Sequence, residues 1–144
     1  MDICVQMRVW KEDSMWNADA KTKIYDIISD IPTGQFTFVE NIASGISNWS
    51  KEAAEYFGFP DVNLSHTKKV LYSLIHPDDL ERWEQEIEAI FSLQKERFFL
   101  TCQMKNAKGN YVLCTGKGKL ILGEGGKPQI FAVSVSLKIV KFSL

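Results

Sequence analysis

Apolar positions along the chain change period several times, and each change marks an element. Ala20, Ile24, Ile27, Ile28 and Ile31 recur at helical spacing within residues 12–31, and Pro32-Thr33-Gly34 ends the pattern. A single apolar stripe on a polar helix buries against something, either the rest of the domain or a second copy. From Gly34 the texture turns to strand. Gln35 to Glu40 is aromatic and β-branched, Asn41 to Gly45 turns, and Ile46 to Trp49 is a second short strand. Ser50 then stands where an N-cap belongs, Lys51 to Phe57 predicts a short helix, and Gly58 supplies its left-handed stop. Phe59 to Lys69 carries Pro60, Asp61 and Asn63 and reads as irregular.

Pro77 is favoured in the first turn of a helix, and Asp78 and Asp79 complement the positive end of its dipole. Leu80, Trp83, Ile87, Ile90 and Phe91 then form one face of a helix running to about Ser92. The last third predicts three strands in a meander: Arg97 to Lys105, Tyr111 to Leu122 and Gln129 to Val140. A turn at 106–110 and glycines at 123–126 separate them. The order is helix, two strands, short helices, a longer helix and three strands. It predicts an α+β fold with five strands in one antiparallel sheet and helices on one face.

Composition narrows the class. The chain has 144 residues, 45% hydrophobic and 24% charged, with a formal net charge of −1, which fits one globular domain without a bias toward nucleic acid or anionic membranes. No run is long and apolar enough to span a bilayer, and Met1 to Trp10 lacks the apolar core of a secretory signal. Cys4, Cys102 and Cys114 are an odd set without a close pair, so a reducing, cytoplasmic setting is expected. Six carboxylates lie between Asp78 and Glu88 with only Arg82 against them, and Lys105, Lys108, Lys117 and Lys119 cluster later. Both groups read as solvated surfaces.

Four blocks carry a family resemblance. Ile46-Ser47-Asn48-Trp49-Ser50-Lys51-Glu52-Ala53-Ala54-Glu55-Tyr56-Phe57-Gly58 resembles the second strand and first helix of a PAS domain. Ile75-His76-Pro77-Asp78-Asp79 is similar to the family's HPDD signature. Lys105 to Val112 is similar to its glycine hairpin, and Gly126-Lys127-Pro128 to the turn before its closing strand. The blocks keep the family's order over about residues 34–140. The subtype resembles PAS fold 3, especially the sensory modules joined to bacterial diguanylate cyclases of the GGDEF type. The resemblance implies a five-stranded sheet curved around a small cavity, which binds a small ligand or serves dimerisation and signals to an effector through a terminal helix. It divides the chain into an N-terminal segment 1–33 with the amphipathic helix, a sensor domain 34–140, and residues 141–144 as the start of a linker to an effector such as a diguanylate cyclase. It also implies a homodimer. One departure stands out: Ser136-Leu137-Lys138 occupies the place of the D-I-T triplet that usually couples the last strand to the outgoing helix.

Candidate chemistry is sparse. His76 fits the helix-start motif better than an acid–base role, and His66 has no acidic or cysteine neighbour at ligand spacing. Haem is disfavoured because residues 78–92 hold no histidine, and flavin-adduct photochemistry because residues 58–76 hold no cysteine. Cys102 and Cys114 share parity across the 106–110 turn, as a redox pair, half a metal site or two small buried hydrophobes. Gly126-Lys127 is followed by Pro128, which breaks the phosphate-loop pattern, and Gly116 and Gly118 sit inside a strand, where glycine permits close packing or a bulge. No nucleophile–base pair and no metal site is seen, so the chain itself is expected to be non-catalytic. Its cavity candidates are Tyr56, Trp83, Ile87, Cys102, Cys114 and Ser134, with a ligand pocket and a self-filled core as the open alternatives. A ligand-free docking or dimerisation module is the competing function, and a small α+β enzyme a third.

Overall fold

The computed structural model describes residues 36–138. The expected helix within 12–31, the proposed segment 1–33 and the linker 141–144 lie outside them. Strands β1 (Phe36–Asn41) and β2 (Ile46–Trp49) form the first hairpin. Helix α1 (Lys51–Phe57) follows, then β3 (Asn63–Leu64), α2 (Thr67–Leu74), a 3-10 turn over Pro77–Asp79 and α3 (Leu80–Phe91). Strands β4 (Arg97–Lys105), β5 (Tyr111–Leu122) and β6 (Pro128–Leu137) close the chain.

The sheet has six strands in the order β3-β2-β1-β6-β5-β4, every neighbouring pair antiparallel. The closing strand β6 therefore sits in the middle, pairing Phe38 with Val133 on one side and Gly116 with Val135 on the other. The sixth strand corrects the expected five. It is two residues long and pairs only Ser47 with Leu64 and Asn48 with Asn63, too short to leave a period-two signal. A hydrogen bond donated by Asn48 Nδ2 to Asn63 Oδ1 (3.0 Å) helps to hold it. Helix α2 begins inside the stretch read as irregular, because its N-cap is His66 at a positive φ of 55° with no side-chain cap, so no capping signal announces it.

Other local expectations hold. Ser50 Oγ accepts from Ala53 N, and Gly58 ends α1 at φ 79°. In the β4–β5 hairpin Asn106 Oδ1 accepts from both Lys108 N and Asn110 N, and Gly109 takes φ 84°.

The core lies between the sheet and the helices. Phe38 stacks on Trp49 with ring centroids 4.2 Å apart, Phe131 meets Phe38 and Phe98 edge-on, and Phe57 and Phe59 flank Trp49. Aromatic burial of this density dominates the apolar driving force for folding.

Candidate functional site

Among the spaces on the helical side of the sheet, two meet at Trp83 of α3. The inner one is a cavity of about 40 Å³ lined by Phe38, Trp49, Leu71, Trp83, Cys102 and Cys114 among others. That volume admits a few water-sized molecules at most, far below the ~300 Å³ where small-ligand pockets begin. Its wall is almost wholly apolar, so the self-filled core describes it best.

The outer space is a groove of about 540 Å³ between the β1–β2 turn, α2 and α3. Its apolar wall is Ile42, Trp83, Ile87 and Phe91, and its polar rim is Glu40, His66, Lys68 and Lys69. A buried hydroxyl relay positions the α2 wall. Trp49 Nε1 donates to Ser47 Oγ (2.7 Å), Ser47 Oγ donates to Thr67 Oγ1 (2.6 Å), and Thr67 Oγ1 donates to Gly45 O (2.9 Å). Thr67 is the first residue of α2, so the relay pins that helix end to β2 beside the groove.

Glu40 is the group that gives the groove chemical character. It follows Phe36 and Phe38 at period two and so faces inward with them. Its side chain is half-buried in the groove wall and makes no hydrogen bond among the described residues. Burial pushes its pKa up to about 7, against a smaller opposing pull from Lys68. A carboxyl with a raised pKa in a cleft is a candidate binding position. Its in-phase place after two core aromatics was visible in the sequence.

The six expected cavity residues divide. Trp83, Cys102 and Cys114 line the inner cavity, and Trp83 and Ile87 line the groove. Tyr56 lines neither space and stacks on Phe36 at 5.1 Å. Ser134 is buried but alternates with the lining residues Val133 and Val135, so it points to the opposite sheet face.

Cys102 and Cys114 are direct register partners, as parity suggested, and both thiols are free. Burial raises Cys102 to about 11, with Asp79 adding to it, and Cys114 to about 12, with Cys102 adding to it. They are inert at neutral pH.

The acidic run is not all solvated. Asp79 is buried; its Oδ2 accepts from Gln103 N (2.8 Å) and its Oδ1 from Arg82 Nη2 (2.8 Å). Burial pushes this carboxyl up, but the bonds from Gln103 and Arg82, with the charges of Arg82 and His76, outweigh it and leave the pKa lowered. Glu86 turns inward as well, pairing with Lys95 and accepting from Phe99 N. His76 performs the structural task expected of it, its Nδ1 accepting from Asp78 N (3.0 Å). On the basic hairpin, Lys105 lies over the Tyr111 ring and Lys117 over the exposed Phe99, an aromatic interleaving the sequence reading did not foresee.

Comparison with known proteins agrees with this geometry. No curated protein matches the sequence. Among solved structures, a sensory box histidine kinase/response regulator from Burkholderia thailandensis E264 superposes with a TM-score of 0.59 at 15% identity, over 71% of this chain and 75% of that one. The N-terminal domain of a diguanylate cyclase with PAS/PAC sensor from Marinobacter aquaeolei gives a TM-score of 0.59 at 11% identity, over 69% and 91%. The PAS-B domain of Drosophila melanogaster Cycle, with bound ethylene glycol, gives 0.55 at 10% identity, over 72% and 100%. The sequence model of the PAS fold family matches residues 46–135, from the start of β2 almost to the end of β6. With that match over more than half its length, the chain belongs to the PAS fold family.

Proposed function

We propose that this chain is a cytoplasmic sensory module that binds a small ligand in the groove beside Trp83 and passes the change to a linked signalling effector, of the diguanylate cyclase kind. The observation that carries this is the groove itself: about 540 Å³, with an apolar floor and the Glu40 carboxyl in its wall. In this reading the chain binds and relays, and catalysis belongs to the linked effector. Free buried cysteines suit a reducing compartment, and none of the described helices is long and apolar enough to cross a membrane.

The route of the signal follows the sheet. Glu40 on β1 is the register partner of Phe131 on β6, and β6 ends where Lys138 N donates to Leu113 O on β5. A ligand that prefers one arrangement of the groove shifts the population of arrangements at that strand end. Homodimerisation through the isoleucine stripe at 20–31 fits the same scheme.

Native mass spectrometry of the chain purified from cells tests the reading. Bound small-molecule mass is expected, and Trp83→Ala should lose it. Protein free of bound mass whose dimer dissociates on Ile27→Glu would favour the ligand-free docking module instead. The codons flanking this segment in its gene identify the effector.

A further inference from the structure

Resting on the ligand-binding reading above, we infer that the groove takes a small amphipathic carboxylic acid, its apolar body on Trp83, Ile87 and Phe91 and its carboxylate held by Lys68, Lys69 and the Glu40 carboxyl. The charge geometry around Glu40 selects this class. From α2 and its N-cap, Lys68, Lys69, His66 and Tyr72 line the same groove. Helix α3 contributes apolar side chains there, and keeps Glu84 and Glu88 in the neighbouring depression that Lys68 also borders. The strand partners of Glu40 are Ser47 and Phe131, neither of which titrates. The groove rim thus carries two lysine charges against one carboxylate.

Glu40 decides the sign. An ammonium ligand would have to displace Lys68 from beside it and sit among like charges. A carboxylate ligand needs Glu40 neutral, so that its O–H donates to a ligand oxygen. With a pKa of about 7, that protonation costs only a factor of about two at pH 7. The proton comes from solvent, and no covalent bond changes. Binding is therefore coupled to proton uptake, and the site reads acid and pH together. The protonated fraction of Glu40 falls from about 0.9 at pH 6 to about 0.1 at pH 8, so affinity should fall about tenfold over that interval.

The test compares three molecules of one shape and different charge, phenylacetate, phenethylamine and 2-phenylethanol, by amide chemical-shift titration of the ¹⁵N-labelled full chain in carboxylate-free buffer. Phenylacetate is expected to shift the Gly45, Thr67 and Lys68 amides and to bind tightest, about tenfold more weakly at pH 8 than at pH 6. His66→Asn should keep that ratio, which assigns it to Glu40. Glu40→Gln should flatten it while still binding at pH 8, because the amide donates at every pH. If Glu40→Gln does not fold, the Lys68→Met/Lys69→Met pair should weaken phenylacetate several-fold and leave 2-phenylethanol unchanged. Tighter binding of phenethylamine, or of phenylacetate as pH rises, overturns the acid class while leaving a ligand groove in place. Shifts at the groove with none of the three overturn the site and the ligand reading together.

Discussion

Removing the Asp79 carboxylate should destabilise the domain far more than removing its ion-pair partner. Asp79 sits where the 3-10 turn meets α3, and its two oxygens reach in different directions, to Arg82 one turn on and to Gln103 N on β4. The Arg82 side chain is 54% exposed, so the pair with it contributes about 0.2–1 kcal/mol. The bond from Gln103 N is of another kind. It is a charge-assisted bond to a partly buried amide, about 1.5–3 kcal/mol, and deleting it leaves the amide without its acceptor. Asp79→Ala should therefore cost about 2–4 kcal/mol, Asp79→Asn about 1–2 because one acceptor oxygen remains, and Arg82→Ala below about 1. Urea unfolding followed by tryptophan fluorescence at pH 7 measures all three. With a slope of ~1–3 kcal/mol per molar, Asp79→Ala should move the midpoint by roughly 0.7 M or more. The pH dependence gives a second check. The folded pKa of Asp79 is lowered, so its stabilisation is complete above the unfolded value of 3.8 and disappears as pH falls through the folded one. The loss from Asp79→Ala should shrink in acid. An Arg82→Ala loss equal to that of Asp79→Ala would refute the assignment of the stabilisation to Gln103.

Three further outcomes follow from the same geometry. Gly118→Ala should cost about 1–3 kcal/mol by thermal or urea unfolding, since its Cβ would stand 2.6 Å from Ala132 O, a carbonyl of the central strand; Gly116→Ala, nearest to the Phe98 ring at 3.2 Å, should cost less. Glu40→Gln should raise stability at pH 8 by about 1–3 kcal/mol: the wild-type carboxyl, pushed from 4.5 to about 7 by burial, destabilises the fold progressively as pH rises across that window, and the amide removes the loss. In a Cys4→Ser background, Ellman's reagent at pH 8 should leave Cys102 and Cys114 unmodified until urea unfolds the chain; rapid reaction of the native protein would contradict their burial.

Much of this fold is written in local chemistry that a sequence exposes. Ser50, Gly58, His76-Pro77 and Gly109 each act within a few residues of themselves, and each occupies the place expected of it. What escaped depends on distant partners. Strand β3 exists only because β2 presents an open edge, and α2 starts only because Thr67 finds Ser47, twenty residues away. Asp79 and Glu86 belong to an acidic run that reads as the wet side of α3 and the turn before it, and their inward turn depends on amides of β4 that helical periodicity does not encode. The candidate site was legible by halves. Trp83, Ile87 and the two cysteines stood on faces that periodicity identifies, whereas Ser134 was assigned against its strand parity and Tyr56 was claimed by Phe36. Glu40 was readable from the phase of β1 alone, as a charge in step with two core aromatics.

The central claim is that events in the groove reach the far end of the closing strand. Amide hydrogen exchange along the full chain at pH 6, with and without saturating phenylacetate, tests it directly. The account predicts changed protection at Thr67 and Lys68 together with a change at the β6 terminus, where Lys138 N binds Leu113 O. Changes confined to the groove, with the Lys138 amide exchanging at the same rate in both samples, would contradict it.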